Sequence, residues 1–301
     1  MSPPTSPVSF RVLGPVGAHA GADELDLGGL RQRAVLARLL VARGQVVPVD
    51  TLLFDLWDDD TAKGAQSGLQ VYISRLRRVL EPNRPRGGPN RLLVTVASGY
   101  ALRAAPEQVD ALRFEAMVRS AGERLEESPQ AARARLDSAL ALWQGTPYSD
   151  FADQSWAEAE VARLSELRLV ARERHADAGL RMGLHAETVP DLEALTTEHA
   201  LREEGWRLLA LGLYRCGRQG DALAALRRPA RSCPTSWAST PGRRCGSWSR
   251  TSWPRTPGST SCCPRPGGPP RSARPGRPGR SPPATPRPGW WARALADRAR
   301  G

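Results

Sequence analysis

Lysine is all but absent from this chain: of 43 basic residues only Lys63 is a lysine. Lysine codons are AT-rich, so the imbalance points to a GC-rich genome rather than to a binding chemistry. Cysteine is scarce where the sequence looks folded. Of five cysteines, Cys233, Cys245, Cys262 and Cys263 sit near the C-terminus and only Cys216 precedes them, which leaves no disulfide framework and no zinc spacing. No segment approaches 18 uninterrupted apolar residues, and the opening MSPPTSPVSF lacks the basic start and apolar run of a signal peptide. A cytoplasmic protein with no membrane partner is therefore expected. A Gly-rich phosphate loop followed by Lys-Ser/Thr is missing, which removes a nucleotide-hydrolysing module. His175, His185 and His199 lack a second ligand at helical spacing and read as surface or packing groups. Asp58, Asp59 and Asp60 read as a solvated cap to the helix that follows rather than as a cation site. With no catalytic constellation, neither enzyme activity nor a cofactor is expected. Nor is there a receiver domain that would place the chain under phosphorelay control.

What is present begins with charge. The net charge of +12 is misleading as a whole-chain property, because residues 229–301 hold 14 arginines against the single acid Asp297, leaving residues 1–228 at −1. Within that part, residues 31–103 carry 12 bases and 6 acids, and residues 104–228 carry 16 bases and 21 acids. A basic module followed by a mildly acidic one is the asymmetry expected when only the first meets a polyanion.

The stretch DTAKGAQSGLQVYISRLRRVL, residues 60–80, organises the basic module. Leu69, Ile73, Leu76 and Leu80 form one narrow apolar stripe on a 3.6-residue period, which predicts a helix. Its other side carries Gln66, Gln70, Ser74, Arg75, Arg77 and Arg78, with no acid until Glu81. Arginine and glutamine match guanine and adenine edges in the major groove, while serine and further arginines suit phosphates. A merely solvated basic face has the same look, so the surroundings decide.

Those surroundings read as follows. Residues 8–27 suggest two or three short antiparallel strands, and 31–43 a helix stopped by Gly44. Residues 45–48 are extended, Asp50 is placed to cap a short helix through Trp57, and the organising helix comes third. A loop with Arg84 and Arg86 leads to a hairpin, 91–96 and 100–103, around Ala97, Ser98 and Gly99. This is the parts list of a winged helix-turn-helix.

LQVYISRLRRVL followed by LLVTVASGYAL resembles the DNA-binding domain of the OmpR family. FRVLGPV and LGGLRQRAVLARLLVARGQVV resemble, more narrowly, the Streptomyces antibiotic regulatory protein family of transcriptional activators. The resemblance implies base-edge contacts for Val71 and Arg75 and phosphate contacts for Tyr72, Ser74 and Arg77, with Gln70, Arg78 and the wing residue Ser98 as further DNA-binding candidates. Packing is the competing role for Val71 and Tyr72, and a solvated face for Arg75 and Arg77. The wing tip carries no arginine, which argues against minor-groove insertion there.

From Asp110 to Arg228 the pattern turns helical. Phe114, Val118, Ala131, Ala132 and Ala139 suggest a helix pair. A long helix is expected over Trp156 to Met182, with Val161, Leu164, Leu167 and Val170 inward and Asp153 or Ser155 as cap. Trp206, Leu209, Ala210, Tyr214, Gly217, Ala222 and Leu223 approximate the tetratricopeptide pattern. LDSALALWQGTPYSDF and the following WAEAE resemble the bacterial transcriptional activator domain of the same family.

At Pro229 the periodicity stops. The rest holds 15 of 27 prolines and five of nine tryptophans, and reads either as a disordered Arg- and Pro-rich segment or as an out-of-frame translation of GC-rich DNA. The second reading has a concrete form. One allowed codon choice for Thr235 to Pro241, read from the third base, gives Glu-Leu-Gly-Val-Asp-Pro, a signature that the resemblance implies at this point. It predicts a shift of the reading frame near the codons for Arg228 to Ser232, and sequencing that finds incompatible third bases rejects it.

The expected fold class is thus mainly α: a winged helix-turn-helix (8–103, α+β), an all-α tetratricopeptide-like activator domain (108–228), and a disordered or frameshifted tail (229–301). The expected function is sequence-specific activation of a secondary-metabolite gene cluster. The resemblance implies double-stranded DNA with promoter direct repeats and RNA polymerase as partners, with a homodimer on DNA left open. The alternative is a helical-repeat interaction scaffold whose winged helix contacts protein.

Overall fold

The computed structural model describes residues 7–57, 64–85 and 88–231. The expected tail beyond residue 231, and the proposed cap at Asp58 to Asp60, lie outside them, whereas the last helix runs on to Arg231 instead of stopping before Pro229 as expected. Chain order begins with β1 (Val8–Arg11), β2 (Gly17–Ala20) and β3 (Asp23–Glu24), an antiparallel sheet in the order β1-β2-β3. Next come α1 (Leu30–Val41), β4 (Val47–Pro48), α2 (Val49–Leu56) and α3 (Ala65–Leu80). The hairpin strands β5 (Leu93–Val96) and β6 (Gly99–Leu102) join β4 in a second antiparallel sheet, ordered β4-β6-β5. A winged helix-turn-helix is complete at this point.

Its helices start and stop for local reasons. After Val41, Arg43 and Gly44 take left-handed φ values of 52° and 82°, which turn the chain out of α1. At the start of α3, Gly64 has φ 94°, and its carbonyl accepts from Gly68 N at 2.9 Å. Leu69, Ile73, Leu76 and Leu80 are all buried, as the apolar stripe predicts. Past the last turn, Glu81 accepts hydrogen bonds from the backbone N–H groups of Arg91 and Leu92, which draws the chain back into β5.

Three local expectations need correction. Asp50 does not cap α2: the helix begins at Val49 behind Pro48, so Asp50 lies within the first turn, where its charge favours the helix dipole without a capping bond. Neither Asp153 nor Ser155 caps the long helix, because Gln154 holds that position without a side-chain bond. Gly99, expected in the turn, belongs to β6, and the hairpin turn is Ala97–Ser98 with Ala97 at φ 42°.

Six α-helices follow among the described residues: α4 (Asp110–Arg124), α5 (Pro129–Leu140), α6 (Ser155–Arg181), α7 (His185–Glu198), α8 (Glu203–Arg215) and α9 (Gln219–Arg231). Each packs on the next in the chain, the arrangement of stacked helix pairs. In α6 only Leu164 of the expected apolar face is fully buried. Its later turns pack through Ala171, Ala176, Ala178 and Gly179, small residues that let neighbouring helices approach closely. Between α8 and α9, Gly217 makes the turn at φ 78° and Trp206 and Ala222 are buried, while Tyr214 and Leu223 of the repeat pattern stay exposed. Among the described residues no helix is long and apolar enough to cross a membrane.

The winged helix is continuous with the first helices behind it. Phe10, Val12, Leu36, Leu69, Phe114, Leu136, Tyr148 and Leu164 belong to one core, and a second core from Ala176 to Ala225 serves α7 to α9. Polar bonds cross the same junction. The buried Asp110 carboxylate accepts from the backbone N–H groups of Val12, Leu13 and Ala111 at 2.7 to 3.0 Å. Gln144, Tyr148 and Ser149 in the loop after α5 donate backbone bonds to Leu13, Val12 and Gly14. Arg43 and Arg163 both pair with Glu115, and the hydrogen bond to Glu160 raises the Arg163 pKa.

Candidate nucleic-acid interface

With its leucine side buried, α3 turns Gln66, Gln70, Val71, Ser74, Arg75 and Arg78 to solvent. Arg75 and Arg78 make no hydrogen bond or ion pair among the described residues. Val71, one turn before Arg75, is 46% exposed, an apolar side chain of the kind that contacts a thymine methyl. Two acids of the described residues are engaged elsewhere. Glu81 is turned onto the backbone of Arg91 and Leu92, and Asp55 is held by Arg38 at 2.6 Å. Among the described residues no acid pairs with Arg75 or Arg78.

Tyr72 and Arg77 are placed differently from their neighbours. The Tyr72 ring is half-buried and stacks on Trp57 at the end of α2, with centroids 6.1 Å apart. Arg77 is also half-buried: its Nε donates to Leu93 O at 2.9 Å, its Nη2 to Thr95 Oγ1 at 2.7 Å, and its guanidinium lies 5.9 Å from the Tyr100 ring centre. Burial lowers its pKa below the ordinary arginine value. Ser98 is exposed at the hairpin turn, and its carbonyl accepts from Val49 N, tying the wing tip to the start of α2.

The structure also gathers residues that sequence reasoning left unassigned. A basin of about 400 Å³ opens beside α3, lined by Gln70, Ser74, Arg77, Arg78, Arg84 and Tyr100 among others. Arg84 was legible only as a loop residue; its Nη1 donates to Gly88 O, which folds the loop after α3 onto the edge of this basin. Thr95 carries no signal beyond strand alternation, and Tyr100 reads only as part of the Gly-Tyr that ends the family's wing, since the residue they hold is on another element. No group of His, Cys, Asp and Glu able to hold a metal ion occurs among the described residues.

Comparison with known proteins matches this geometry part by part. The family model for the transcriptional regulatory protein C-terminal domain matches residues 25–102, and that for the bacterial transcriptional activator domain matches 109–244. The regulatory protein DnrI of Streptomyces peucetius is 33% identical over 222 residues, covering 72% of this chain and 82% of DnrI. The chain belongs to the Streptomyces antibiotic regulatory protein family. Members of that family are transcriptional regulators. The regulatory protein AfsR of Streptomyces coelicolor is 38% identical over 217 residues, 71% of this chain, and this matched part spans 21% of AfsR. A solved structure of Mycobacterium tuberculosis EmbR, in complex with a low-affinity phosphopeptide, aligns with a TM-score of 0.70 at 31% identity. It covers 78% of this chain and 62% of that one.

Proposed function

We propose that the chain is a sequence-specific transcriptional activator that reads promoter direct repeats through α3, steadies itself through the β5–β6 hairpin, and recruits RNA polymerase through its helical part, at a secondary-metabolite gene cluster. Residues 8–103 form the DNA-reading part in this account and residues 108–228 the activating part. The observation that carries it is the Val71, Arg75 and Arg78 side of α3, exposed and with neither arginine in an ion pair among the described residues. An exposed arginine that costs nothing to redirect is suited to a base edge.

The experiment is binding of the whole chain to duplexes from the promoters adjoining its own gene, with footprinting, over a range of salt. Affinity should fall linearly in log–log form with added salt, because each phosphate contact releases condensed counterions. Salt-independent binding, or no preference over random duplex, would favour the protein-contact scaffold instead. Within the footprinted site, Arg75→Ala should cost about 1–3 kcal/mol and relax preference at one position. Equal losses on specific and scrambled duplex would remove Arg75 from base reading.

A further inference from the structure

We infer that Arg77 is a positioning residue that locks the β5–β6 hairpin to α3, so that helix and hairpin meet DNA as one unit. The inference deepens the DNA-reading proposal and rests on it for its functional half. It departs from the phosphate contact that family resemblance implies for this residue. Arg77 spends Nε and Nη2 inside the protein, on Leu93 O and Thr95 Oγ1. Leu93 offers its backbone carbonyl and Thr95 its hydroxyl, two residues apart on β5, an edge strand of the sheet. The planar fork of a guanidinium spans those two acceptors, whereas an ammonium presents a single charged point. Across the hairpin, Thr95 pairs in register with Tyr100, and the Tyr100 ring lies beside the same guanidinium. One side chain from α3 therefore engages both strands of the wing. Arg78, the next residue, is exposed and uses no donor internally among the described residues, so it is the better phosphate ligand of the two.

The geometry separates two roles that sequence alone merges. A phosphate ligand contributes to the salt slope; a lock does not, but it couples to its partner. The test uses the full chain with Arg77→Ala, Arg77→Lys, Thr95→Val, Arg78→Ala and the double variant Arg77→Ala/Thr95→Val. Without DNA, amide hydrogen exchange over residues 93–102 should speed up in Arg77→Ala and in Thr95→Val, while α7 to α9 exchange as before. Unchanged hairpin exchange in Arg77→Ala overturns the inference whether or not the chain binds DNA. With the footprinted duplex, Arg77→Ala and Thr95→Val should each lose about tenfold in affinity, and the double variant about tenfold again rather than a hundredfold. Arg77→Ala should keep the wild-type salt slope, whereas Arg78→Ala should lower it by about one. Full binding by Arg77→Lys, additive losses in the double variant, or a lowered slope in Arg77→Ala would each return Arg77 to the phosphate role. A wild-type chain that ignores the duplex while its Arg77→Ala hairpin loosens would sink the DNA reading and leave the lock in place.

Discussion

Replacing Asp110 with alanine is expected to lower the unfolding free energy by about 3–5 kcal/mol, a large share of what a domain of this kind has. The carboxylate accepts from three backbone N–H groups, those of Val12, Leu13 and Ala111, at a position only 8% exposed. Alanine removes every acceptor and leaves three donors in a buried junction, each of which costs desolvation with no return. Equilibrium urea unfolding reads the loss directly, and a change below about 1 kcal/mol would show that water reaches the donors. The pH dependence has a defined sign. Burial raises the Asp110 pKa, and the hydrogen bonds from Leu13, Val12 and Ala111 pull it back only in part. Its folded-state value therefore lies above the unfolded one. The stability that this raised value contributes is fully present below the unfolded aspartate pKa and is lost as pH rises through the folded one. The gap between wild type and Asp110→Ala should be widest in acid and narrow toward neutral pH.

Gly99→Ala is expected to cost about 2–3 kcal/mol and to push the hairpin off β4. A Cβ built at Gly99 would lie 2.2 Å from the Val47 carbonyl oxygen, 2.8 Å from its carbon and 3.0 Å from Pro48 Cα. All three are backbone atoms, so no rotamer change relieves the clash. The Pro48 pairing opposite Gly99 and the Val49-to-Ser98 bond should fail together, releasing the wing tip. Gly220→Ala is the matched control: nothing lies within 4 Å of its Cβ, and alanine in α9 should stabilise by about 0.5–1 kcal/mol. Thermal melts of the two variants should move in opposite directions. A Gly99→Ala protein that melts with wild type would mean the β4–β6 pairing is dispensable.

Much of this arrangement can be read from the amino-acid order because it is local. The Leu69, Ile73, Leu76 and Leu80 stripe fixes which side of α3 is buried, and the rest of its face follows by subtraction. Gly44 and Gly217 mark turns because their backbones take positive φ values. What escaped depends on residues far apart in the chain. Gly99 reads as a turn glycine, yet its smallness answers to Val47, which sits 52 positions earlier in the sequence. Asp110 reads as the start of a helical stretch, while its partners Val12 and Leu13 are 98 and 97 residues away. Arg77 carries the same charge as Arg75 and Arg78, and only the position of β5 distinguishes its role. The expected caps at Asp50, Asp153 and Ser155 missed for a smaller reason. A side chain able to cap does so only if the helix begins one residue after it, and here the starts fall at Val49 and Ser155.

The core shared by Phe10, Leu69, Phe114, Tyr148 and Leu164 joins α3 to the helices that follow it. If α3 reads a duplex as proposed, that shared core gives α4 to α6 a fixed azimuth around it. For an activator of the proposed kind, distance from the operator to the start of transcription then counts in whole turns. Five extra base pairs, about half a turn, would carry the activating surface to the far side of the duplex, and ten would bring it back.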